Sequence, residues 1–161
     1  MYIEKYKDEL VGGTDDSLAL LEYLAGKGKE EIPLSEVFSD IGLDQLNGDF
    51  RRPETELVFT DAEGWEMEFH YAIDLLMSLA ALLLECRESG SVDLSELFDA
   101  IKEGSVVRLT ATEPEHALID RVLRDFSAAP LEYDLAEMMA EEDMLETARL
   151  CGELRSELYG S

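Results

Sequence analysis

Positive charge is what this chain has least of. Thirteen Lys and Arg stand against 38 Asp and Glu, a formal net charge of −25 over 161 residues. Phosphate backbones and anionic bilayers repel such a surface, which argues against direct binding to nucleic acid or to membranes. Histidine is scarce: His70 and His116 are the two present. Cysteine is scarce too, and Cys86 and Cys151 lie too far apart in sequence to suggest a disulfide framework. Both fall within helical apolar patterns and read as buried free thiols, which suits a reducing cytosol. The opening stretch, MYIEKYKDEL, lacks the apolar segment of a signal peptide, so the expected location is cytoplasmic. No glycine-rich loop has phosphate-binding spacing, and no Ser/His/Asp or Cys/His arrangement is suggested.

Apolar residues are not lacking. They make up 46% of the chain, ordinary for a folded protein, and the length fits a single globular domain over residues 1–161. The dominant stretch is Tyr71 to Glu88. Ile73, Leu76, Met77, Ala80, Leu83 and Leu84 form one stripe at helical spacing, and Ala72, Leu75, Leu79, Leu82 and Cys86 a second. A helix apolar on nearly all sides must be enclosed. The run is well short of the roughly 20 residues a bilayer requires, and Asp74 sits within the stretch, so a buried central helix is expected.

The rest of the chain supplies its surroundings. Gly12-Gly13 breaks the chain, Thr14 is a good N-cap, and Asp15 and Asp16 suit the positive end of a helix that Gly26 and Gly28 close. Pro33 opens a short helix that Gly42 ends, and Leu43 to Pro53 reads as a loop. In that loop Asp44, Asn47 and Asp49 do not make a calcium site, because Leu46 occupies a ligand position. Glu56 to Phe59 and Trp65 to Phe69 read as a hairpin turning at Asp61-Ala62-Glu63-Gly64. In its second strand Trp65, Met67 and Phe69 face one way and Glu66, Glu68 and His70 the other. A helix is expected from Asp93 to Lys102, a strand from Val106 to Ala111, and an amphipathic helix behind the Thr112/Glu115 capping box. A short helix over Asp134 to Met139 and a longer one over Asp143 to Tyr159 complete the series. The fold class is α+β: mainly helical around the buried helix, with a small antiparallel sheet made of the hairpin at about 56–69 and the strand at about 106–111. The pattern Leu34-Ser-Glu-Val-Phe recurs at Leu94 and, more loosely, at Leu135 without a fixed period, so it reads as a shared way of starting a short helix rather than a solenoid.

Two acidic surfaces stand out. From Glu54 to Glu85 there are eight acids and no Lys or Arg, most of them on or near the hairpin and next to Trp65. From Glu132 to Glu157 nine acids face Arg149 and Arg155, and Glu142, Glu146, Arg149, Glu153 and Glu157 share one helix face. Glu153 and Glu157, like charges four apart, cost the helix a few tenths of a kcal/mol. The bland readings are a solvated face, general solubility or a halophilic source. The sharper one is a field aimed at a basic macromolecule, with candidate contacts Asp61, Glu63, Trp65, Glu66 and Glu68, or Glu141, Glu142, Glu146 and Glu153. No cofactor and no metal ligand set is expected. His70 is expected as a solvated junction residue and His116 at the surface.

The stretches Gly12-Gly-Thr-Asp-Asp-Ser-Leu and Glu66-Met-Glu-Phe-His-Tyr-Ala-Ile-Asp, each leading into its helix, resemble small bacterial immunity proteins of contact-dependent inhibition and other polymorphic toxin systems. The resemblance implies a cytosolic, non-enzymatic protein that binds one cognate toxin domain and blocks it. It carries no common functional residues. The acidity makes a basic nuclease the toxin class that fits, and oligomeric state stays open. Two other readings stand beside this one. A nucleic-acid mimic would occupy the DNA site of a DNA-binding protein. An enzyme would use carboxylates or a metal near His70.

Overall fold

The computed structural model describes residues 2–160. Helix α3 (Ala72–Ser89) is its axis: every residue from Ala72 to Cys86 is buried. Around it pack α1 (Asp15–Gly26), α4 (Glu113–Ala128), α5 (Glu141–Tyr159) and a 3-10 turn at Tyr2–Tyr6, with α2 (Leu34–Ile41) farther out. The buried side chains form one continuous cluster running from Ile3 to Leu158.

The caps fall where local chemistry places them. Thr14 receives the Ser17 N–H at 3.1 Å at the start of α1. Thr112 and Glu115 make both bonds of the capping box that starts α4. Gly42, at φ 102°, ends α2. The bend before α1 needs glycine for space, since a β-carbon on Gly13 would lie 2.3 Å from the Asp8 carbonyl oxygen.

The strands belong to two sheets, where the sequence suggested one. Strands β2 (Leu57–Thr60) and β3 (Glu66–Phe69) form the antiparallel hairpin, with Leu57 opposite Phe69 and Thr60 opposite Glu66. Strand β5 (Val106–Thr110) lies apart from it. It is the middle strand of a mixed sheet, parallel to β1 (Glu31–Pro33) and antiparallel to β4 (Val92–Asp93). The outer strands are three and two residues long, too short to show any alternation in sequence. Each runs straight into a Leu-Ser-Glu segment, and Leu34 and Leu94 are both fully buried.

Two expected helices are shorter than their patterns. Asp93 to Lys102 holds only a 3-10 turn at Leu94–Glu96. The reason is closure: Asp93 pairs with Val106 and the Leu94 N–H donates to Ser105 O, so both ends of the segment are pinned to the same ladder. Leu94, Leu97 and Ile101 are still buried. Asp134 to Met139 is likewise a 3-10 turn, Asp134–Glu137, in a tight link between α4 and α5. Part of the Leu43–Pro53 loop, Leu43–Leu46, is also a 3-10 turn.

Candidate functional site

The hairpin is built so that its tip stands clear of the core. One face of β2–β3 carries Leu57, Phe59, Met67 and Phe69, and Phe59 meets the Tyr23 ring of α1 edge-on at 4.8 Å. Burial decreases along this face towards the turn: Phe69 is 5% exposed, Met67 half-buried and Trp65 73% exposed. The other face carries Glu66 and Glu68, both exposed. Asp61 shapes the turn: its Oδ1 accepts the N–H groups of Glu63 and Trp65, both at 2.9 Å. The loop that raises the indole into solvent is therefore held by a carboxylate.

The two acidic surfaces separate in their pairing. None of Glu54, Glu56, Asp61, Glu63, Glu66 and Glu68 lies within 4.0 Å of a Lys or Arg. On α5 the pattern is different. Arg149 grips Glu146 with two N–H groups and reaches Glu153 at 3.0 Å. Lys5, from the opposite end of the chain, sits 3.5 Å from Glu153 and 3.3 Å from Glu157. The like-charge pair apparent in the sequence is bridged by this lysine. Glu141 and Glu142 are exposed in the first turn of α5, where acids complement the helix dipole.

Next to the hairpin an open cleft of about 820 Å³ separates it from α1 and α2, floored by Tyr23, Phe59 and Met67. Five carboxylates line it against two lysines, and Lys27 and Lys29 are already engaged by Glu36 and Asp40. Glu22, Asp61 and Glu63 are left without a basic partner there. The cleft was not visible in the sequence, because Glu22 and Tyr23 come from a helix more than thirty residues upstream of the hairpin.

His70 is fixed by α1 and not by its strand neighbours. The Asp16 carboxylate, 4% exposed, accepts the backbone N–H of His70 at 2.9 Å and of Tyr71 at 2.7 Å, and lies 3.1 Å from His70 Nδ1. Glu66 and Glu68 take no part. The acids around His70 thus serve to join the hairpin's exit to α1, and among the described residues no His, Cys, Asp and Glu cluster is arranged to hold a metal ion. His116 is half-buried rather than at the surface, its Nδ1 2.8 Å from the Tyr159 hydroxyl. Among the described residues no helix is long and apolar enough to cross a membrane. Cys86 and Cys151 are free and buried, and burial pushes the Cys151 thiol up to about 12.

Comparison with known proteins gives one match. A family model described as Immunity protein 68 matches residues 2–158. No curated protein and no solved structure is matched.

Proposed function

This chain belongs to the immunity protein 68 family, and from that membership we propose that it neutralises one cognate toxin domain by meeting a basic surface of that toxin with its β2–β3 hairpin. What supports the hairpin over α5 is the contrast in pairing. Among the described residues the hairpin acids have no Lys or Arg within 4.0 Å, whereas Glu146, Glu153 and Glu157 are already bridged. Glu63, Glu66 and Glu68 are free to meet Lys or Arg of the toxin, and the exposed Trp65 is the apolar anchor among them. A large aromatic ringed by charge has the make-up of an interface hot spot.

The toxin class that fits is a nuclease, since an enzyme that holds phosphates presents a basic surface to the acidic hairpin. Opposite fields accelerate encounter, to as much as ~10⁸–10⁹ M⁻¹s⁻¹ at low salt. Fast capture suits a protein that must stop an active enzyme inside the cytoplasm. In this reading the whole chain acts as one domain, and no reaction is assigned to it.

The test is stopped-flow association with the cognate toxin domain, across a sodium chloride series. The rate should fall steeply with salt. Glu66→Lys with Glu68→Lys should slow association by at least about tenfold, because reversing charges at a contact removes the steering. Glu146→Lys with Glu153→Lys should leave it nearly unchanged. A flat salt dependence, or a larger effect from the α5 pair, would overturn the assignment.

A further inference from the structure

At the far end of α3 from the hairpin, beginning ~16 Å along the helix at Leu83, lies a cleft of opposite electrostatic character. Its volume is about 490 Å³, and Arg87, Arg108, His116 and Tyr159 line it over an apolar floor that includes Leu83 and Leu158. Among the described residues no carboxylate lines it. Each of the four other clefts described has at least two. In a chain with 38 acids and 13 bases, a cleft whose lining carries two arginines and no described acid is a local inversion, with Glu88 pairing Arg87 at 2.7 Å.

Of the two arginines, Arg108 is the one open to a ligand. Arg108 is exposed on β5 and among the described residues has no acid within 4.0 Å, whereas most of the chain's Lys and Arg do. Arg87 is held rigidly: it donates to Leu158 O at 2.6 Å, to Glu157 O at 2.7 Å and twice to Glu88. A guanidinium has five N–H groups, so one is left over. Among the described residues His116 Nε2 has no hydrogen-bond partner, while Nδ1 meets the Tyr159 hydroxyl. Burial pushes that phenol up to about 12, so it stays a neutral hydroxyl. The backbone adds an edge. β4 reaches β5 only at Val106 and Val107, and beyond it, on the side away from β1, the Leu109 N–H turns to Cys86 Sγ at 3.4 Å.

We propose that this cleft binds a carboxylate carried on a short apolar group, the free C-terminal end of a peptide being the form that uses every feature. Arg108 and the spare N–H of Arg87 take the charge, Leu83 and Leu158 receive the last side chain, and the end of β5 beyond Val107, met there by Cys86 Sγ and not by a strand, lies beside the peptide backbone. The site is separate from the hairpin and does not depend on which toxin the hairpin meets.

The full chain, labelled with ¹⁵N, would be titrated with N-acetyl-alanyl-leucine, with its C-terminal amide and with isovalerate. The peptide acid should give saturable shifts at the Leu109 amide and Arg108 Nε, and the amide should bind at least about tenfold more weakly, the loss expected for a charge-assisted hydrogen bond. Isovalerate binding as tightly as the peptide acid would uphold the carboxylate site and assign it to free alkyl acids. Arg108→Gln has no ion pair to lose, so it should fold normally and bind about tenfold more weakly, with Arg108→Lys keeping part of the affinity. Equal affinity for acid and amide, binding unchanged in Arg108→Gln, or no saturation by about 10 mM would each overturn the proposal.

Discussion

The Thr14 hydroxyl donates to the Asp74 carboxylate at 2.6 Å, joining the cap of α1 to the first turn of the buried helix α3. The contact belongs to a polar seam inside an otherwise apolar core. Ser17 and Ser78 share a hydrogen bond at 2.8 Å one turn farther along, and Ser78 also donates to Leu10 O. Asp16 adds the clamp on His70 and Tyr71. The seam fixes the register of α1 on α3, and through Tyr71 it fixes where the hairpin leaves the core.

Asp74 makes stability depend on pH with an unusual sign. It is 3% exposed, and burial raises its carboxyl to about 6, opposed by the Thr14 hydroxyl and reinforced by the charge of Asp16. In the unfolded chain the value is about 3.9. Between the two the folded state binds more protons, so this group's contribution to stability falls as pH rises from about 4 to about 6 and is then lost. Asp74→Asn keeps an acceptor for Thr14 and removes the titration. Urea denaturation should show the variant more stable than the parent at pH 7.5, by on the order of 2 kcal/mol, with the gap closing near pH 4.5. Identical pH profiles for the two proteins would contradict this.

Asp16→Ala leaves two backbone N–H groups at the His70–Tyr71 junction without an acceptor. Hydrogen bonds to a buried charge are worth about 1.5–3 kcal/mol, so a loss of about 3 kcal/mol is expected on urea denaturation. Amide exchange at His70 and Tyr71 should speed up before that of the α3 interior.

Trp65→Ala separates binding from folding. At 73% exposure the indole adds little to the core, so the melting temperature should stay within a degree or two. Loss of a hot-spot aromatic costs about 2 kcal/mol or more, roughly a 30-fold weaker complex with the toxin, which isothermal titration calorimetry would detect.

Tyr6→Phe tests the junction between the two ends of the chain. Tyr6 is fully buried, and its hydroxyl donates to Glu157 at 2.5 Å, a bond that Lys5 flanks. Removing it should lower stability by about 1 kcal/mol, measured by chemical denaturation.

Much of the fold could be read from residue patterns because the decisive signals are local. The double apolar stripe places α3 within a residue or two, and Thr112, Glu115, Thr14 and Gly42 mark helix ends by chemistry that acts over three or four positions. The sheet order could not be read this way. β5 joins β1 across more than seventy residues, and strands of two or three residues carry no period. The polar seam left a trace: Asp74 and Ser78, four apart on an apolar helix, face Thr14 and Ser17, three apart on another. Choosing α1 as their partner needed the fold. The candidate contacts were legible as acids, but their availability was not, because Lys5 lies about 150 positions from the glutamates it neutralises.

That junction bears on how the protein is made. Ile3 and Tyr6 have no buried site until α3 and α5 exist, since their partners are Glu85 and Glu157, separated from them by 82 and 151 positions. Contacts of such long sequence separation form late and slow folding. A nascent chain on the ribosome must therefore leave Ile3 and Tyr6 uncovered until α5 has been synthesised. Assembly of the fold would lag translation, and a product terminated before α5 would lack the seat for Ile3 and Tyr6.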